Sequence, residues 1–158
     1  MAGKSEVKRP RAGVYVDASA LAKLYVPEAE SDLLDAFLRG RKDLMTSELS
    51  ITEVLSAVAR RKREGLLDSE NANQIKDALL ADAKSFRRLE LSPALHRQAE
   101  RLLLSSEKIP VRTLDALHIA LALSGGAEQV ATFDVRMAEA AMLHGLQVVS
   151  LESLRDVE

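Results

Sequence analysis

Four acidic residues stand apart in this chain, each where one regular element is expected to give way to another. They are Asp17 in GVYVDASAL, Glu53 in SELSITEVL, Asp115 in RTLDALHIA and Asp134 in VATFDVRMA. Asp17 and Asp134 directly follow short β-rich runs. In a parallel α/β sheet the residues just beyond the strand C-termini line one crevice, the usual ligand site. Carboxylates gathered there repel each other, and their proximity is tolerable only with a cation between them. Oxygen ligands point to Mg²⁺, with Mn²⁺ as its substitute. The expected chemistry is metal-dependent and acts on a phosphorylated substrate.

Each acid also has a purely structural use. Asp17 could cap the helix that follows it, but Ser19 is equally able to cap and would leave Asp17 free. Glu53 closes a capping box with Ser50, in the pattern S-x-x-E. If Thr46 or Ser47 caps instead, Glu53 falls inside the helix beside its buried stripe and needs a cation. Asp115, two residues after the expected cap Thr113, suits the positive end of a helix dipole. Asp134 could cap the last long helix, with the Thr132 hydroxyl facing the same crevice. His118, alone on an apolar helix, is expected to be a hydrogen-bonded core residue. Arg112 is expected in a surface salt bridge, with contact to a phosphate as its functional alternative.

These residues need elements to position them. Val14–Val16 reads as a strand, followed by a helix from Ala20 to Tyr25 that Pro27 stops. Pro27-Glu28 opens a second helix, closed by Gly40. Asp43–Thr46 is a strand candidate. In the helix from about Ser47 to Glu64, Ile51, Val54, Leu55 and Val58 fall at i, i+3, i+4, i+7. A helix from Asp68 or Ser69 to about Ser85 precedes a third strand within Phe86–Leu91. Ser92-Pro93 starts the next helix. Residues Ala116 to Leu123, apolar except for His118, read as a helix buried on more than one side and ended by Gly125-Gly126. Gln129–Phe133, a helix from about Val135 to His144, and Leu146–Ser150 complete the pattern. The order β-α-α-β-α-α-β-α-α-β-α-β calls for parallel strands with helical crossovers. The expected fold class is a three-layer α/β/α sandwich with a parallel sheet of about five strands.

A chain of 158 residues is long enough for one domain with a buried core, here residues 13–158. The absence of Cys excludes disulfides, thiolate catalysis and Cys-ligated metal, and fits a cytoplasmic location. No apolar run approaches the ~18 residues of a membrane span, and no secretory signal is expected. Residues 1–12 carry Lys4, Lys8, Arg9 and Arg11 against Glu6, so this expected flexible arm is +3 and the remaining chain −5. The run Arg60-Arg61-Lys62-Arg63 and the pair Arg87-Arg88 are the other basic patches. They suit solvated helix ends or phosphate contacts.

Taken together, VYVDASAL, TSELSITEVLSA, RTLDALHIALAL and VATFDVRMAEAAMLHGLQVVS resemble the PIN-domain ribonucleases of VapC toxin type, from about Gly13 to Leu151. The resemblance implies a sheet in spatial order 3-2-1-4-5 and a Mg²⁺- or Mn²⁺-dependent endonuclease that cuts RNA. It implies a catalytic quartet of Asp17, Glu53, Asp115 and Asp134, with Ser19 and Thr132 in support; beside it, Asp17, Asp115 and Asp134 are the expected metal ligands and Arg112, adjacent in sequence, the candidate phosphate contact. A cognate antitoxin is implied as partner, with a segment near helices 28–39 and 47–64 that can push a basic side chain into the acids. A homodimer using exposed Leu and Val of those helices is also expected. Competing readings fit less well. A haloacid-dehalogenase-like phosphatase wants a second Asp where Ser19 stands, and a receiver domain wants a late Lys, yet none follows Lys108. A non-catalytic module that binds a partner protein remains open, to be separated by Mn²⁺ calorimetry.

Overall fold

The computed structural model describes residues 13–149 and Leu154. The expected arm, residues 1–12, and the end of the expected fifth strand at Ser150 lie outside the described residues.

Strands and helices follow the expected order: β1 (Val14–Val16), α1 (Ala18–Lys23), α2 (Ser31–Leu38), β2 (Leu44–Ser47), α3 (Glu48–Arg63), α4 (Ser69–Asp82), β3 (Arg87–Leu89), α5 (Pro93–Ser105), α6 (Thr113–Ser124), β4 (Gln129–Ala131), α7 (Val135–Leu143) and β5 (Gln147–Val148). All strand pairs are parallel, in the spatial order β3-β2-β1-β4-β5. Parallel neighbours require crossovers, and the helices supply them. β1 is central and fully buried, and its side chains alternate between faces. Tyr15 packs with residues of α5, α6 and α7, whereas Val14 and Val16 pack with residues of α1, α2 and α3 and with Leu79 of α4. Covering both faces makes the expected three-layer sandwich and explains why β1 is apolar throughout.

The chain winds one way from β1 to β2 and β3 and the other way through β4 and β5, so the winding reverses between β1 and β4. Their C-terminal ends are side by side: the Asp17 amide donates to the Ala131 carbonyl at 3.1 Å. That reversal is where α/β sheets open a crevice.

α6 is buried from Asp115 to Ala122, as its apolar sequence requires. It ends at Gly126, whose φ of 77° lies in the left-handed region. Ala at that position costs about 1–2 kcal/mol, so Gly126→Ala should melt about 2–8 °C lower by calorimetry. An unchanged melting temperature would contradict this account of the α6 terminus.

Two expectations are corrected. α2 starts at Ser31, not at Pro27-Glu28, because Glu30 takes a left-handed φ of 68°. Lys23 Nζ fixes that turn by donating to Glu28, the Ala29 carbonyl and Glu30. The Leu and Val residues of α2 and α3 do not form an exposed apolar surface. Leu34, Leu38, Val54 and Val58 are buried, and Leu33, Leu49 and Leu55 are half-buried. Among the described residues, no helix is long and apolar enough to cross a membrane.

Candidate active site

All four acids line one cavity of about 390 Å³ at the C-terminal edge of the sheet, together with Ser19, Arg112 and His118. Their separation along the chain disappears because each sits at or near the start of a helix that leaves this edge.

Asp17, directly after β1, is the N-cap of α1. Its Oδ1 accepts from the Ala20 amide at 2.9 Å and from Ser19 Oγ at 2.7 Å. Of the two candidate caps the helix uses Asp17, not Ser19. Ser19 is instead a stitch between strand ends, its Oγ accepting from the Phe133 amide at 2.9 Å and lying 3.2 Å from Thr132 Oγ1. Thr132 Oγ1 accepts from the Asp134 amide at 3.1 Å. Thr132 is buried and does not itself line the cavity, but its hydroxyl bonds to Asp17, which does. Burial pushes the Asp17 carboxyl above its ordinary range, partly opposed by hydrogen bonds with Thr132, the Ala20 amide and Ser19.

Glu53 lies inside α3, because Ser47 caps that helix by accepting from the Ser50 amide at 3.0 Å. The capping box between Ser50 and Glu53 does not form. Glu53 Oε1 reaches His118 Nε2 at 2.6 Å, and His118 Nδ1 lies 2.7 Å from the Tyr15 hydroxyl. Tyr15 in turn lies 2.8 Å from Ser47 Oγ. An ionised Glu53 only accepts, so the Nε2 proton points to it and Nδ1 accepts from Tyr15. His118 is the expected buried core histidine, yet it also lines the cavity and holds a carboxylate there. Sequence reasoning missed this second role. The usable signal was the spacing Asp115 to His118, one turn apart on one helix face.

Asp115 sits one turn into α6, with Arg112 as the N-cap and Thr113 inside the helix. Thr113 is therefore not the cap. The Arg112 backbone amide donates to Asp115 Oδ2 at 3.3 Å, Arg112 Nε donates to the same oxygen at 2.9 Å, and Nη2 donates to Oδ1 at 3.2 Å. Nη2 also donates to Asp134 Oδ2 at 2.7 Å. Asp134 caps α7, its Oδ1 accepting from the Arg136 and Met137 amides at 2.9 and 3.2 Å. For Asp134 burial is the largest single influence and would raise the carboxyl pKa, but the bond and charge of Arg112 together with the Met137 and Arg136 amides outweigh it and hold the group below its ordinary range. The salt bridge expected of Arg112 is real, and both its partners are site acids.

Among the described residues, no three acidic or histidine side chains close tightly enough on one point to enclose an ion. The hydrogen bonds explain this. Asp115 and the outward oxygen of Asp134 are drawn to Arg112, while Glu53 is drawn to His118. The donor set still suits Mg²⁺ or Mn²⁺, because its carboxylates offer oxygen alone.

Two depressions continue from the cavity. One, of about 450 Å³, lies between α1 and α3 and shares Ser19, Glu53 and Asp134. The other, of about 280 Å³, runs from Glu53 past Ser56 to Arg60 and Arg63.

The PIN domain family model matches residues 14–143. Ribonuclease VapC46 of Mycobacterium tuberculosis is 34% identical over 141 residues, covering 88% of this chain and 98% of its own. Ribonuclease VapC3 of Pyrobaculum aerophilum is 32% identical over 127 residues, covering 78% of this chain and 91% of its own. The crystal structure of Mycobacterium tuberculosis VapC20, described as a Sarcin-Ricin loop cleaving toxin, is similar with a TM-score of 0.65. It is 20% identical and covers 81% of this chain and 95% of that one, a likeness of fold.

Proposed function

Since this chain belongs to the PIN-domain family and is of VapC ribonuclease type, we propose that it is the toxin of a toxin–antitoxin pair, a Mg²⁺- or Mn²⁺-dependent endoribonuclease. The observation that carries the reading is the meeting of Asp17, Glu53, Asp115 and Asp134 in one cavity at the sheet's winding reversal.

Asp17, Asp115 and Asp134 would hold the ion, which when bound supplies charge neutralisation on the phosphate and on the leaving oxygen. Asp17 is pre-aimed by the Ala20 and Ser19 bonds, which occupy its Oδ1. Glu53 orients the attacking water through Oε2 and takes its proton, while His118 fixes Oε1. Ser19 and Thr132 keep the ends of β1 and β4 in register and so set the distance between Asp17 and Asp134.

The RNA is held by its backbone. Tyr15, Tyr25, Phe37, Phe86 and Phe133 are the chain's aromatic residues, and none is exposed. No aromatic platform is available for stacking bases. Arg60 and Arg63 are exposed, one helical turn apart, on the depression that starts at Glu53. They make no ion pair among the described residues, whereas Arg61 is engaged by Glu28 at 3.0 Å. They are suited to phosphates flanking the cut. The cognate antitoxin, in the same reading, occupies the depression between α1 and α3 and covers the route to the acids. A homodimer belongs to the reading too, on a surface other than the inward-turned Leu and Val of α2 and α3.

The test is cleavage of a structured RNA by the purified protein, with new 5′ ends mapped. Cleavage is expected in Mg²⁺ or Mn²⁺, lost in excess EDTA and restored by added Mn²⁺. Undiminished cutting in EDTA would overturn the metal-dependent reading. No cutting, together with no Mn²⁺ binding at millimolar concentration, would leave the non-catalytic module.

A further inference from the structure

The four carboxylates need a cation, and the chain supplies one of its own. Arg112 engages both oxygens of Asp115 and the outward oxygen of Asp134, at 2.7 to 3.2 Å from its guanidinium. Two of the three proposed metal ligands are thus held by a single side chain. The remaining oxygen of Asp134 is committed to the first turn of α7.

We propose that Arg112 is the resident counter-ion of the acidic site, leaving Asp115 and Asp134 when a divalent cation binds and then holding the substrate phosphate. The inference rests on the metal-dependent reading above and adds a competition to it. Ion and guanidinium claim the same oxygens, and both are positive, so occupancy by one opposes occupancy by the other. Affinity for the ion is lowered by the fraction of molecules in which Arg112 is bound.

The geometry allows the exchange. The Arg112 side chain is 48% exposed, against 6% for Asp115. Releasing it to solvent strands no buried cation, and the incoming ion replaces its charge beside the buried Asp115. The backbone bond from Arg112 to Asp115 does not depend on the side chain, so the helix start survives the swing. Once released, the guanidinium remains tethered at the cavity mouth, where its planar fork matches two phosphate oxygens.

A residue with these two roles shifts two readouts in opposite directions. Calorimetric titration of Mn²⁺ into wild type, Arg112→Ala and Arg112→Gln should show both variants binding about tenfold more tightly. The KM for RNA should rise in both, by about tenfold for the loss of a charge-assisted phosphate contact. Two variants are used because Gln retains a neutral donor to Asp115 if Ala impairs folding, which melting curves report. Wild-type binding with neither variant binding more tightly overturns the inference and leaves the nuclease reading standing. No Mn²⁺ binding by any of the three at millimolar concentration overturns both.

Discussion

Asp17→Asn should abolish RNA cleavage, by about 10³-fold or more, while the protein folds and melts higher than wild type when metal-free. The catalytic loss follows from replacing an anionic oxygen ligand with a neutral amide at a buried position of the proposed metal site. About 10³-fold corresponds to ~4 kcal/mol of transition-state stabilisation. The fold should survive because Asn keeps an acceptor oxygen. It can still receive the Ala20 amide and the Ser19 hydroxyl, and Asn caps helices as well as Asp does.

The gain in stability has a definite sign. Burial raises the Asp17 carboxyl above its unfolded value, so the native state holds this proton more tightly than the unfolded chain. The stability associated with that proton is fully present below the unfolded pKa and is lost as pH rises through the folded pKa. Asn does not titrate. At neutral pH metal-free Asp17→Asn should therefore melt higher than wild type. The gap should close as pH falls below the ordinary aspartate range of ~3.9. Saturating Mn²⁺ should reverse the order, because only wild type gains the binding energy. A variant that cuts RNA like wild type would sink the proposed mechanism. One that melts lower at every pH would sink the account of Asp17 as a carboxylate that burial disfavours.

The element order was legible because it rests on local signals: β-rich triplets, Ser-Pro starts, glycine stops and one helix apolar all round. The parallel strand pairs follow from the same signals, since each strand is separated from the next by at least one helix. The caps were less legible. Ser47 and Ser50 each offer a plausible cap, and the sequence around Glu53 fits both. The choice is made by β3: Ser47 pairs with Leu89 as part of β2, so the strand runs to Ser47 and α3 starts immediately after it. Asp17 and Ser19 compete in the same way. There the distant Ala131 and Phe133 decide, by fixing the Asp17 amide and the Ser19 hydroxyl.

What the sequence could not show was which charges meet. Arg112 contacts Asp134 across 22 positions, and His118 contacts Tyr15 across 103. Both contacts exist only because α6 crosses the sheet face beside β1 and β4. The acids were expected to need a cation, and two of them have one. In the described residues that cation is a guanidinium, which reasoning from acidic motifs alone had placed at the surface.

His118→Ala should cost about 2–4 kcal/mol of stability, roughly 4–16 °C in melting temperature, and lower kcat by about 10–100-fold. The first effect comes from a cavity among buried side chains and from a Tyr15 hydroxyl that loses one of its partners while keeping Ser47 at 2.8 Å. The second comes from Glu53, whose Oε1 loses its fixed donor at 2.6 Å. Its carboxylate then turns freely, so the oxygen facing the water is seldom aligned. His118 is a positioning residue in this account, and the two effects can be separated. Tyr15→Phe removes the far end of the same chain but leaves the bond from His118 to Glu53. It should cost about 1 kcal/mol with little loss of kcat. In a Glu53→Gln background, His118→Ala should add little further loss of activity, because the residue it positions no longer acts as a base. Full kcat in folded His118→Ala would confine His118 to packing. Strictly additive losses in the double variant would show that His118 and Glu53 act separately, and that the 2.6 Å contact between them carries no catalytic coupling.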